Sequence, residues 1–413
     1  MYLLDNSSRD YEWGSASDIP RFLGQESDGH RLAEVWMGTH PLGPSSVTSQ
    51  DRPVPLSDVA GDLPFLFKIL AADRPLSLQV HPNAAMARAG FDAEEAAGIP
   101  LDAPERTYRD PSHKPEMAYA LTTFDTLVGF RPTAEILRVL HGLDTPLARS
   151  LAADLDAMPG FAGIVRLIER LLNNPVTPEE VAALVASCRE LVEVGIDVRR
   201  AYVTAIEIAE HFPEDVGVVI SLTLNRLTLQ PGEAAFLGAG IIHAHLKGMC
   251  LEVMAASDNV LRAGLTTKPL NPAGLVRCLE EGMSRLARVT PVPFGLSTEM
   301  FIPDVSEFAL AVSQCSSAEP EGTMLPPALR RIVVCTGGEV ELINTAGDRI
   351  KVRRGASVYA GPEDGDIQVV GTGEVAQAYT ADPSSPMGRL VDLVPPFGER
   401  RPEIRRGRRD DDA

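Results

Sequence analysis

Apolar positions come in short alternating runs near both ends of this chain and at helical spacing in its middle. From Met1 to about Arg131 the runs are brief and broken by Pro, Gly and Asp. "LPFLFKILAA" and "LSLQVHP" are the clearest of them, and the pattern predicts mostly strands and turns. The period changes near Pro132. In "TPEEVAALVASCRELVEVG", Thr177 is placed to cap a helix, Pro178 to open it and Glu180 to complete a capping box, while Gly195 supplies the stop. Val181, Leu184, Val185, Cys188, Leu191 and Val192 form one apolar stripe at helical spacing. "TAEILRVLHGL", "FAGIVRLIERLL" and "DVRRAYVTAIEIAEHF" read the same way. From Val216 alternation returns through "VGVVISLTLNRLTLQPGEAAFLGAGIIHAHLKG", with a turn at Pro231-Gly232. Beyond Val292, "RRIVVCTGGEVELIN", "RIKVRRGASVYAG" and "DIQVVGTGEVAQAYT" are short strands at sandwich or barrel spacing.

The fold class expected is therefore mainly β with a helical insertion: two β-barrels of one type flanking an α-helical domain. The expected boundaries are 1–131 with 213–291 for a discontinuous first β domain, 132–212 for the helical domain, 292–397 for a second β domain, and 398–413 for a disordered tail. Length agrees, since 413 residues exceed one small core and suit two or three domains. The formal charge of −19 argues against a nucleic-acid surface but leaves room for a locally positive pocket that takes an anionic small molecule. The five cysteines (Cys188, Cys250, Cys278, Cys315 and Cys335) are odd in number and show no C-x-x-C spacing, so neither a disulfide framework nor a thiolate zinc site is expected. With no signal-peptide pattern at the start and no apolar run of spanning length, the expected setting is the cytoplasm, away from membranes.

Three polar pairs interrupt otherwise apolar strands. Residues i and i+2 of a strand face the same way, so Gln79 and His81 in "LSLQVHPN" point together, as do Lys114 with Glu116 in "HKPEMAYAL" and His243 with His245 in "GIIHAHLKG". Buried polar groups need partners, and a divalent metal, most plausibly Zn²⁺, would satisfy an amide, imidazoles and a carboxylate at once. The competing reading makes each histidine an ordinary core or surface residue; His30, His40, His113, His141 and His211, which show no such pairing, are read that way. Directly after the third pair, "LEVMAASDNVLRAGLTTKPLN" crowds Glu252, Asp258, Asn259, Arg262 and Lys268 together. This is either a solvated loop or a site wall whose cations hold a phosphate or steady an enediolate oxygen.

At these residues the chain resembles the type I mannose-6-phosphate isomerases (phosphomannose isomerases) of the cupin superfamily. The similarity runs in order through "YEWGS", "AEVWMGTHPLGPS", "LSLQVHPN", "DPSHKPEMAYAL", "PGEAAFLGAGIIHAHLKG" and "EVMAASDNVLRAGLTTK", about residues 11–268. The resemblance implies two cupin (jelly-roll) domains around a helical one. It implies one zinc ion per chain on Gln79, His81, Glu116 and His243, and a pocket for a phosphorylated hexose walled by Ser77, Lys114, Glu252, Arg262 and Lys268. A monomer is expected. Where the family commonly has Pro and Tyr around the metal-binding histidine, this chain has Ile242 and His245; His245 either takes over a hydrogen bond to the sugar or competes as a ligand.

The reaction so implied interconverts mannose 6-phosphate and fructose 6-phosphate through a cis-enediolate. Arg262 suits the developing oxyanion, Glu252 and then Lys268 are the candidates for general base, and Lys114 meets phosphate or a sugar hydroxyl. Two other classes compete: a metal-dependent cupin oxygenase, and a non-catalytic sugar-binding cupin that keeps the fold.

Overall fold

The structure is a computed structural model that describes residues 1–174, 176–281, 287–319 and 321–380. The expected disordered tail lies outside the described residues. Within them the chain is built of strands and helices, with the helices concentrated in one central block.

That block follows its sequence signals closely. Helices run Thr133–Gly142, Pro146–Ala157, Phe161–Asn173, Pro178–Glu193 and Ala201–Ala209. The capping box at Thr177 is formed: its Oγ1 accepts from the Glu180 amide at 3.2 Å, and Glu180 Oε2 accepts from the Thr177 amide at 2.9 Å. Val181, Leu184, Val185 and Cys188 are the buried stripe of that helix. The block's apolar faces share one core with Leu78, Val80, Leu127, Ala244 and Leu261 of the first sheet, so the helices pack directly behind strands that carry the polar pairs.

Two segments depart from expectation. Val216–Ser221, read as returning strand, is a helix whose Asp215 cap accepts from the Gly217 amide. A short run that is apolar at every position has no period to choose between helix and strand, and burial on all sides accepts either. The first 131 residues also hold the helix Ala84–Ala96, started by Asn83, whose side chain accepts from the Met86 amide at 3.0 Å. Only Ala87 of this helix is buried, so it has no apolar stripe to announce it.

Among the described residues the first sheet has eleven strands, organised around His243–Ala255. The Gly248–Ala255 half of this strand pairs antiparallel with Phe65–Ala72 on one side, and its Cys250–Met254 stretch with Glu116–Ala120 on the other. The first half pairs instead with Phe124–Phe130 and, at His243, with Gln79 of Leu78–Val80. The change of partners falls at Gly248, where φ is 114° and an added Cβ would strike the Thr123 carbonyl, so only glycine lets the strand bend there. Leu261–Gly264 lies beyond Leu78–Val80, with Arg262 opposite Gln79.

A second, nine-stranded sheet holds the later strands, with Arg330–Ile343 and Gln368–Thr380 at its centre. The Tyr2–Leu3 strand adds to its edge against Val358 and Tyr359. The two sheets share a core that joins Phe65, Phe67, Met117 and Leu251 to Leu310, Ile332, Tyr359 and Ala376. All five cysteines are buried free thiols.

Candidate metal centre

The bend in the long strand builds the site. Glu116 pairs with Met254 near one end of that strand, and His243 stands at the other end. Eleven residues of straight strand would separate those ends by about 36 Å. Yet Glu116 Oε2 lies 3.2 Å from His243 Nε2, and Glu116 Oε1 lies 3.3 Å from His81 Nε2. The long strand is therefore bent, and the three side chains meet with 2% exposure or less.

Hydrogen bonds behind the two imidazoles fix which nitrogen faces the carboxylate. His81 Nδ1 lies 2.7 Å from the Asn259 carbonyl, and His243 Nδ1 lies 2.9 Å from the Ile241 carbonyl. A carbonyl only accepts, so both Nδ1 atoms carry a proton and both rings aim Nε2 at Glu116. Burial pushes the His81 pKa down to about 4, so that ring is neutral at pH 7. Burial alone would raise the Glu116 pKa, but the Lys114 ammonium beside it holds it well below the usual carboxylate range. The carboxylate is therefore ionised, and lone pairs face lone pairs. His81 Nε2, His243 Nε2 and Glu116 Oε2 are buried without a hydrogen-bond donor. A cation among them satisfies all three, and the donor atoms lie within 4.8 Å of one another. Carbonyl-held Nδ1–H groups behind Nε2 donors are the usual supports of a metal-bound imidazole, and two N donors with one O donor suit zinc.

Gln79 is half-buried on the strand between those of His243 and Arg262, so its backbone is in register with both. Lys114 stands at the edge of the trio, its Nζ 3.0 Å from Glu116 Oε1.

Glu252 and His245 belong to a second buried cluster on the same strand. Lys68 Nζ lies 2.9 Å from Glu252 Oε2 and 3.4 Å from Glu34 Oε1, and Trp36 Nε1 donates to Glu34 Oε2 at 2.7 Å. His245 sets Nε2 3.2 Å from Glu252 Oε1 and Nδ1 3.1 Å from Thr126 Oγ1, so both of its nitrogens are occupied away from the trio. Burial would raise the Glu252 pKa, but Lys68 outweighs it and the group falls to about 2. Burial would lower Lys68, and Glu252 with Glu34 reverse that to a marked rise. Sequence reasoning missed Lys68 and Glu34. The signal was present, because a lone lysine inside "FLFKILAA" cannot be buried without a counter-charge.

Arg262 is half-buried and Lys268 is exposed, and the two lie close enough to feel each other's charge. Burial lowers the pKa of both; Arg109 lowers both further, and Arg262 adds to the shift of Lys268. The charges that bear on them most are thus other cations. Arg109, which sequence reasoning passed over, is anchored by its amide, which donates to Asn259 Oδ1 at 2.7 Å. The fully buried Asn259 so joins the Arg109 segment to His81, which replaces the solvated-loop reading at this position. Ser77 is half-buried one residue before the Leu78–Val80 strand. His113, read as structural or surface, sits next to Lys114 and pairs at 2.6 Å with Glu307 from the later part of the chain.

Fold and site together define a β-sheet protein that presents a buried N₂O donor set for one divalent ion with the Lys114 ammonium at its edge. The model for the type I phosphomannose isomerase catalytic domain matches residues 1–133. The mannose-6-phosphate isomerases of Salmonella typhimurium and Escherichia coli K12 are 34% and 35% identical to this chain, covering 92% of it and 99% of their own lengths. The human mannose-6-phosphate isomerase is 30% identical over 88% of this chain and 94% of its own. A crystal structure of the Salmonella typhimurium enzyme bound to fructose 6-phosphate and zinc superposes with a TM-score of 0.83 at 34% identity, covering 92% of this chain and 100% of that one. The chain belongs to the type I mannose-6-phosphate isomerase family.

Proposed function

We propose that this protein is a zinc-dependent aldose–ketose isomerase that interconverts mannose 6-phosphate and fructose 6-phosphate. The observation that carries the reading is the trio of His81, Glu116 and His243, whose buried lone pairs face one another and call for a cation. Its relatives bear the same enzyme name, and one is solved with fructose 6-phosphate and zinc. Gln79 is assigned as the fourth ligand, because its strand lies in register with His243.

The roles of the other residues follow from charge and position. Bound zinc supplies Lewis-acid polarisation of sugar oxygens. Arg262, on the strand next to Gln79, steadies negative charge on the enediolate oxygens, and Lys114 binds a sugar hydroxyl beside Glu116. Lys268 is assigned to the phosphate: its lowered pKa comes from burial and neighbouring cations, and a phosphate dianion would neutralise those cations and restore its proton. Glu252, the first candidate for base, holds its own proton so weakly that it is ill matched to take one from carbon at neutral pH. We assign it to fixing Lys68 and His245, and His245 to supporting the wall through Thr126 and Glu252.

We also retain the division into a discontinuous first β domain (1–131 and 213–291), a helical domain (132–212) and a second β domain (292–397), with each β domain a cupin-type unit. The change of partner strands along His243–Ala255 supports this for the first.

The test is a coupled assay for fructose 6-phosphate formed from mannose 6-phosphate, before and after zinc is stripped with a chelator. Activity should vanish on stripping, return with zinc and be indifferent to oxygen. A zinc-loaded protein that forms no fructose 6-phosphate would establish the non-catalytic reading, and a need for oxygen would establish the oxygenase.

A further inference from the structure

The segment that carries Lys268 is held in a conformation its sequence does not favour. Leu265 has φ 56°, in the left-handed region that a leucine enters only at a cost, and it is 2% exposed. Gly264 before it has φ 144°, and a Cβ there would lie 2.7 Å from Asp215 Oδ1 and 2.9 Å from the Gly217 Cα. A Cβ on Gly217 would in turn lie 2.7 Å from Leu265 Cδ2. Two glycines thus let the backbones of residues 215–217 and 264–266 touch.

At that contact one carboxylate gathers three backbone amides. Asp215 Oδ1 accepts from Gly217 at 2.6 Å and from Leu265 at 2.9 Å, and Oδ2 accepts from Thr266 at 3.4 Å. The first bond caps the short helix Val216–Ser221. The other two hold the turn that follows Arg262, and Thr266 Oγ1 then accepts from the Lys268 amide at 3.1 Å. The chain of contacts runs from Asp215, through a strained leucine, to Lys268. Strain of this kind persists only where its surroundings hold it.

We infer that Asp215 is a positioning residue for phosphate recognition: by gripping the Leu265 amide through Oδ1 it holds the turn left-handed and so fixes where Lys268 stands relative to Arg262. The inference rests on the assignment of Lys268 to the phosphate. Without the grip, the turn would relax towards the right-handed region. The state competent for phosphate would then be a minority, and the apparent affinity would fall by that fraction.

Two substitutions separate this role from helix capping. Asp215→Ser leaves a good helix cap for Gly217, but its shorter hydroxyl cannot reach Leu265. Asp215→Asn keeps the Oδ1 that serves both Gly217 and Leu265. On the zinc-loaded enzyme, Asp215→Ser should raise KM for mannose 6-phosphate, and the inhibition constant of inorganic phosphate, by about tenfold. That corresponds to about 1.4 kcal/mol, within the range a left-handed leucine costs. kcat should stay within about threefold, zinc content and melting temperature should be unchanged, and Asp215→Asn should restore both constants. The inference is overturned if Asp215→Ser leaves both constants alone, or if it lowers zinc content and melting temperature together with them. Lys268→Ala is the control: if it does not change phosphate inhibition, the phosphate assignment itself fails. If it weakens inhibition while Asp215→Ser does not, only the positioning role falls.

Discussion

Stripping zinc and lowering the pH should expose the cost of the buried His81. In the metal-free protein its pKa falls from the ordinary 6.5 to about 4 because the ring is buried. The unfolded chain therefore binds a proton there at a higher pH than the folded one does. Stability is whole above pH 7 and is lost as the pH falls from about 6.5 towards 4. Between pH 7 and pH 5 the linkage amounts to about 2 kcal/mol, and to about 3 kcal/mol once both states are protonated. Glu116 adds little above about pH 5, since its own contribution is lost only as the unfolded carboxyl takes a proton near pH 4.5 and below, and it is common to wild type and a His81 variant. The assay is urea unfolding of chelator-treated wild type and His81→Gln at half-unit steps from pH 7.5 to 4.5. Wild-type stability should fall more steeply than the variant's by about 2 kcal/mol at pH 5. Parallel curves would show that the ring is not buried neutral, and the lone-pair argument for a cation would fail with it. Added zinc should steepen the wild-type curve alone, because a metal competes with the proton for Nε2.

Lys68→Met strands the carboxylates of Glu34 and Glu252 in the interior and should cost about 3–5 kcal/mol in urea melts; a variant of unchanged stability would show that the cluster is not buried as described. Glu252→Gln separates holder from base: loss of a support should lower kcat by less than about 100-fold, whereas a fall beyond about 1,000-fold would return it to proton transfer. Arg262→Ala should lower turnover by about 100-fold or more, as loss of one preorganised donor does, with zinc content intact; equal turnover would remove Arg262 from the chemistry.

Elements with a local signature are legible in the chain's own residues. The helix Pro178–Glu193 carries its cap, its opening proline and its stripe within one stretch of sequence, and the capping box forms as those residues require. The polar pairs are equally visible, because an amide, an imidazole or a carboxylate in an apolar strand contradicts its surroundings, and the family motifs run through the same residues. The helix Val216–Ser221 escapes such a reading because uniform burial erases the period on which it depends.

What the sequence determined, then, was which residues had to be explained: Gln79, His81, Lys114, Glu116, His243 and the cations after them. It could not say that His243, at one end of the long strand, would meet Glu116, which pairs near the other end, since that depends on the strand bending at Gly248. Nor could it say that His245 turns to Glu252 and Thr126 instead of to the trio, or that Lys68 neutralises that corner. Periodicity and capping act over a few residues and survive in the sequence. Convergence of lone pairs and pairing of buried charge are set by distances across the fold, and only the packed sheets fix those.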